Sequence, residues 1–181
     1  MTQRQRRATK KLVLQRAKAL LQASSPKYAS RVFIMAGDVL PDNIRDHDLI
    51  TVSITGGRYG YSEQAGAAGI VVPYQGTMRV SLWKTSRIDR NGTDEGLLTS
   101  PDGILDLQQD VLKSLLGSLL PATTGADAGI PILTQQIYAI SDTEVTRTSD
   151  SVTGVTPGGD MSQAVMSMDF GVDFHWDLDQ V

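Results

Sequence analysis

Residues 164–178 read A-V-M-S-M-D-F-G-V-D-F-H-W-D-L. Ala164, Met166, Met168, Phe170, Val172, Phe174, Trp176 and Leu178 fall on every second position, with Ser167, Asp169, Gly171, Asp173, His175 and Asp177 between them. Only an extended chain sends residues i and i+2 to the same side, so the stretch predicts a β-strand with one apolar and one acidic face. At about 3.3 Å per residue it would reach roughly 50 Å, far beyond an ordinary strand. A strand of that length must be paired throughout or it becomes an aggregation site. Two solutions suggest themselves: Gly171 bends it, or part of it serves another subunit.

Working outward, Thr134 to Thr148 is extended and threonine-rich, and the polar segment 149–162 joins it to the closing strand, which predicts an antiparallel hairpin with a long tip. Before it lies the best-marked helix start in the chain. Ser100 suits the cap, Pro101 the first helical position and Asp102 the helix dipole, ahead of an apolar stripe of Ile104, Leu107, Val111, Leu112, Leu115 and Leu119 that Pro121 ends. Residues 77–83 alternate as a strand, separated by Pro73 from a short run at 70–72. Residues 31–35 and 49–55 read as two further strands. The first segment, Gln5 to Gln22, predicts an amphipathic basic helix ended by Ser24, Ser25 and Pro26. Long loops are expected near 56–69, 86–100 and 149–162, within one domain over 1–181. The fold class is therefore α/β in the α+β sense: a mostly antiparallel sheet with a long C-terminal strand, packed by two main helices.

The composition is ordinary for a globular protein, at 40% hydrophobic and 20% charged residues. With no cysteine, disulfides, thiolate catalysis and thiolate metal sites are excluded together. No run reaches the roughly 20 apolar residues of a membrane span, so a soluble, unprocessed chain is expected. The net charge of -3 conceals an asymmetry. Residues 1–37 hold nine of the 17 Lys and Arg and none of the 20 Asp and Glu. A basic end and an acidic end on one chain attract nucleic acid, or each other across a subunit boundary.

Catalytic motifs are missing from the sequence. Asp169, Asp173 and Asp177 stand four apart, which on a strand is about 13 Å, beyond the roughly 5–9.5 Å of a glycosidase carboxylate pair. Their expected role is a wet outer face or contact with a cationic partner. The acidic segments 37–48 and 89–96 lack the spacing of a calcium loop. His47 and His175, the only histidines, belong to no zinc or nucleophile motif. No phosphate loop or dinucleotide fingerprint is present, so no enzyme, metal or cofactor is expected. Arg58, Tyr59 and Tyr61 in the glycine-rich segment, with Arg4, Arg6, Arg7, Lys10 and Lys11 at the basic end, complete the candidate contact residues.

The order of parts carries a resemblance. The basic helix, the strands R-V-F-I-M, L-I-T-V-S-I-T and T-M-R-V-S-L-W, the helix beginning S-P-D-G-I-L-D-L, and the closing pair T-Q-Q-I-Y-A-I-S-D-T-E-V and M-S-Q-A-V-M-S-M-D-F-G-V-D-F-H-W-D-L follow one another. This resembles the tail terminator, or tail completion, proteins of long-tailed bacteriophages of the lambda-like kind. The resemblance implies a structural virion protein, assembled in the host cytoplasm. It would form a homo-oligomeric ring, commonly a hexamer, at the head-proximal end of the tail tube. Its partners would be the tail tube protein and a neck or head-completion protein, with DNA only as cargo through the lumen and no membrane. Two other readings stand beside it: another neck, connector or minor tail-tube protein, and a DNA-binding protein that uses the basic N-terminal helix.

Overall fold

The long strand exists, and it is paired from end to end within its own chain. The computed structural model describes residues 8–24, 26–36, 48–60, 65–66, 69–87, 95–99, 101, 103–148 and 161–177. In chain order the elements are helix α1 (Lys10–Ser24), a 3-10 helix (Pro26–Arg31), strands β1 (Val32–Ile34), β2 (Leu49–Tyr59), β3 (Ala65–Gly66) and β4 (Gly69–Arg87), helices α2 (Glu95–Leu98) and α3 (Ile104–Leu115), and strands β5 (Tyr138–Asp142), β6 (Thr146–Thr148) and β7 (Met161–Asp177). The sheet order is β1-β2-β4-β7-β5, with β3 on β4 and β6 on β7. Strand β1 runs parallel to β2, and every other pairing is antiparallel. This is the α+β arrangement expected.

All 17 residues of β7 pair with β4, from Met161 opposite Arg87 to Asp177 opposite Val71. Neither expected solution is needed, because β4 is 19 residues long and supplies the partner itself. Pro73 does not break β4 as the sequence suggested. Its carbonyl accepts from Gly60 N–H at 2.7 Å, at the point where β2 has ended. A strand residue directs its N–H and C=O to the same neighbour, so the donor that proline lacks would have faced Gly60, past the last residue of β2, and not β7. The glycine-rich segment is likewise not all loop. Residues 56–59 continue β2, 65–66 form β3, and 69 onward is β4. In the second expected loop, 86–87 belong to β4 and 95–98 to α2. Residues 149–160 lie outside the described residues, as do 37–47.

One face of the sheet carries the helices. Met78, Val80 and Leu82 of β4, Met166, Met168, Phe170, Val172 and Phe174 of β7, and Ile50 and Val52 of β2 meet Val13, Ala17 and Leu21 of α1 and Ile104, Leu107, Val111 and Leu115 of α3 in one core. Each large apolar side chain buried there contributes about 1.5–3 kcal/mol. Helix α1 begins later than expected, because Thr9 caps it: its Oγ1 accepts from Leu12 N–H at 3.1 Å. Helix α3 also begins late. Gly103 is its cap residue and makes no side-chain cap bond. The start is set instead by Ile104, fully buried as the first helical residue. It ends before Pro121, at Gly117, whose φ of 75° is the left-handed turn that terminates helices. Arg16 ties α1 to the segment that follows, its buried Nη1 donating to the Leu120 and Ile130 carbonyls at 2.9 Å each.

The far end of the β2–β4 hairpin depends on two glycines. Gly57 and Gly76 lie opposite each other, and a Cβ on either would run into the Tyr74 ring, itself only 1% exposed. Gly57→Ala and Gly76→Ala are therefore expected to lower the unfolding free energy by about 1–3 kcal/mol in urea titrations. Gly56→Ala, where a Cβ meets nothing within 4 Å, is the matched control and should be near neutral.

Candidate interaction site on the open face of the sheet

Two β-bulges decide which side chains face where. In β2, Ile54 pairs with Met78 and Gly56 with Thr77, so Thr55 is an extra residue. Before it the odd positions, Thr51 and Ser53, share the side of Ser81 and Arg79; after it the even positions do. Arg58 is thereby placed beside Gln75 on the helix-free side and Tyr59 beside Tyr74 on the helix side. In β5, Ala139 pairs with Phe170 and Ser141 with Asp169, which makes Ile140 the extra residue. Every described helix packs into the core on the other side, so no described helix covers this second, open face, although Thr51, Ser53, Ser81 and Ser167 on it are buried.

Along the open face the polar groups are matched in pairs across strands. At one end Leu49 and Trp83 are buried with Phe33, Met35 and Val165 against them, and Trp83 Nε1 donates to Thr51 Oγ1 at 3.3 Å. Ser81 and Ser167 share a hydrogen bond of 2.8 Å. Arg79 then grips Asp169 with both ends of its guanidinium, Nε to Oδ1 at 2.8 Å and Nη2 to Oδ2 at 3.0 Å. Asp169 was expected to stay wet or meet a partner; instead a cross-strand arginine of the same chain neutralises it. Asp48, from the acidic segment considered for calcium, is likewise taken by Lys84 Nζ at 2.8 Å and by the Thr85 N–H.

Beyond Arg79 the surface dips into a recess of about 410 Å³, lined by Gly57, Arg58, Gln75, Gly76, Thr77, Tyr138, Ile140 and Asp173. The half-exposed Tyr138 ring lies over Gly171, where a Cβ would otherwise stand. Arg58 Nε donates to Gln75 Oε1 at 2.6 Å. Asp173 is 8% exposed, and its carbonyl is held by the Thr134 N–H and Oγ1 at 2.7 and 2.9 Å. No described residue donates a hydrogen bond to its carboxylate. Burial pushes its carboxyl above the ordinary value of 3.8, and the nearby Arg58 charge pulls it partly back. A carboxylate short of donors beside an aromatic ring is suited to a cation.

On the helix side the same strand ends build a different feature. Lys10 Nζ stands 4.6 Å from the ring centres of Tyr74 and Trp176 and 5.6 Å from that of Tyr59. Tyr59 stacks on Trp176 with centres 5.6 Å apart. The Ala8 N–H donates to the His175 carbonyl at 2.9 Å, which brings the start of α1 to this point. Lys10, expected to meet phosphate or a partner, is thus held by the chain's own aromatic rings. Tyr59 is 59% exposed on the outer side of that cluster.

Of the predicted contact residues, the fold brings Arg58 and Asp173 together and joins Lys10 to Tyr59. Lys11 is exposed on α1. Arg4, Arg6, Arg7 and Tyr61 lie outside the described residues, and Asp177 is placed only as a ladder residue opposite Val71. Sequence reasoning missed Gln75, Tyr138, Ile140 and Trp176. Trp176 was visible only as an apolar residue of the strand, and Ile140 needed the bulge. Among the described residues no three His, Cys, Asp or Glu side chains come together as metal ligands, and no helix is long and apolar enough to cross a membrane. No protein-family model matches the chain, and no curated protein matches it in sequence.

Because Asp173 holds its proton more tightly when folded, ionising it destabilises the native state, and the penalty grows as pH rises from 3.8 through the raised value. Asp173→Asn should accordingly raise Tm at pH 7, with the gain shrinking to nothing near about pH 3, in thermal melts across pH. Lys10→Gln should lower the unfolding free energy by roughly 0.5–2 kcal/mol. Lys11→Gln, on an exposed site, should stay within about 0.5 kcal/mol.

Proposed function

We propose that the protein is a ring-forming subunit of the tail terminator type, closing the head-proximal end of a phage tail tube and presenting a surface to the neck. The observation that carries this reading is the order of elements: α1, β1, β2, β4, α3 and the pair β5 and β7 follow one another in the succession on which the resemblance rests. On this reading the work is association rather than chemistry. A two-layer subunit offers a helical face and an open sheet face, and repeated contact between unlike surfaces generates a ring when the rotation closes.

The DNA-binding reading draws less support. Two of the nine basic residues among the first 37 are turned inward, Lys10 onto aromatic rings and Arg16 onto backbone carbonyls. The aromatic residues near Lys10 enclose a lysine rather than offer stacking surfaces to bases.

The decisive experiment adds purified tail tube to the purified chain and follows mass by light scattering and shape by electron microscopy. A closed ring, free or at tube ends, and arrest of tube elongation are expected. A chain that stays monomeric with tube present would overturn the proposal.

A further inference from the structure

We infer that the Asp173 recess receives a lysine from the outer face of α1 of a second copy of this chain. The inference rests on the ring reading and names the contact that would build the ring. Its starting point is a carboxylate 8% exposed, opening onto a 410 Å³ recess and given no hydrogen bond by any described residue. Two neighbouring carboxylates have their donors: Asp169 has Arg79 and Asp48 has Lys84. Asp173 opens onto the recess beside Arg58, whose charge acts on it without a hydrogen bond. The walls suit a long cationic side chain, with the exposed Ile140 for its methylenes and the Tyr138 ring for its charge.

The cation is at hand on the opposite layer. Helix α1, KKLVLQRAKALLQAS, contains no acid. Its core side is Val13, Arg16, Ala17 and Leu21. Lys11 and Lys18 point the other way, two turns and about 10.5 Å apart, and neither forms an ion pair with a described residue. Helix face and open face lie on opposite sides of the subunit, so a Lys11 or Lys18 contact to Asp173 joins unlike surfaces. Such a contact is heterologous and repeats from copy to copy, as a ring requires.

Charge exchange tests it in the full chain, with assembly on purified tail tube read by light scattering and native mass spectrometry. Asp173→Lys and the pair Lys11→Asp with Lys18→Asp should each lower ring formation at least tenfold, and combining all three should restore it. Asp173→Asn should also assemble less well while melting higher than wild type, which separates a contact role from a folding role. Rings indifferent to these changes, or lost on changing Asp173 but not α1, would overturn the inference and leave the ring reading standing. A wild-type chain that never assembles overturns both.

Discussion

Everything in this fold hangs on the ladder between β4 and β7. Its 17 rungs run without a register shift from Val71 opposite Asp177 to Arg87 opposite Met161. Alternation along an uninterrupted ladder is strict, so one choice of face for Phe170 fixes every side chain from Gln163 to Trp176. The burial of Met166, Met168, Phe170, Val172 and Phe174 makes that choice, because shifting the register by one residue would send all five to the open side and put Asp169 and Asp173 into the core. Helices α1 and α3 then have one apolar surface to cover, and both cover it.

Strands on either side of the ladder adapt to it by bulging. Thr55 lets β2 place Arg58 on the open face and Tyr59 toward Lys10, and Ile140 lets β5 restore its alternation after Tyr138. The recess lies between these two irregularities, and its lining includes Arg58 from β2 and Tyr138 and Ile140 from β5. Asp173 stands on a strand paired along its whole length, with its carbonyl held by Thr134 and its carboxylate facing the recess.

The regular parts of this fold were legible in the sequence, and the irregular parts were not. Period-two alternation announced β7, and the stripe from Ile104 to Leu115 announced α3, because both depend on burial of one face. Residues 56–59 read as loop, since glycine hides the alternation and the Tyr74 ring that fills the space of Gly57 and Gly76 is remote in sequence. Pro73 read as a break because its harmlessness depends on where β2 stops. The cap at Gly103 displaced the stronger-looking start at Ser100, because Ile104 is buried as the first helical residue. Of the candidate site, the sequence offered Arg58 and Asp173 as separate charges; their proximity needed the ladder, and the neutralisation of Asp169 needed the register that sets Arg79 opposite it. The resemblance in element order stands apart from these local readings, since it draws on succession rather than on any single residue.

The edges of the sheet bear on how such a subunit associates. A long sheet with open edges would grow indefinitely by strand addition, and natural proteins blunt those edges. Here β1 is three residues long, and the other edge is divided into β5 and β6, with a bulge at Ile140 and an interruption at 143–145 where the Thr143 N–H and Oγ1 bond back to Ser167. Neither edge offers a straight run of free donors and acceptors matching the length of β7. The two longest strands, β4 and β7, are interior to the sheet order, whereas β1 covers β2 only at Ile50–Val52. Contacts made through the two faces have no such liability, because they are specified by shape and charge at particular residues rather than by repeating backbone groups. The longest ladder, between β4 and β7, thus lies inside the sheet order, and the strands at its ends, β1 and β5, are short.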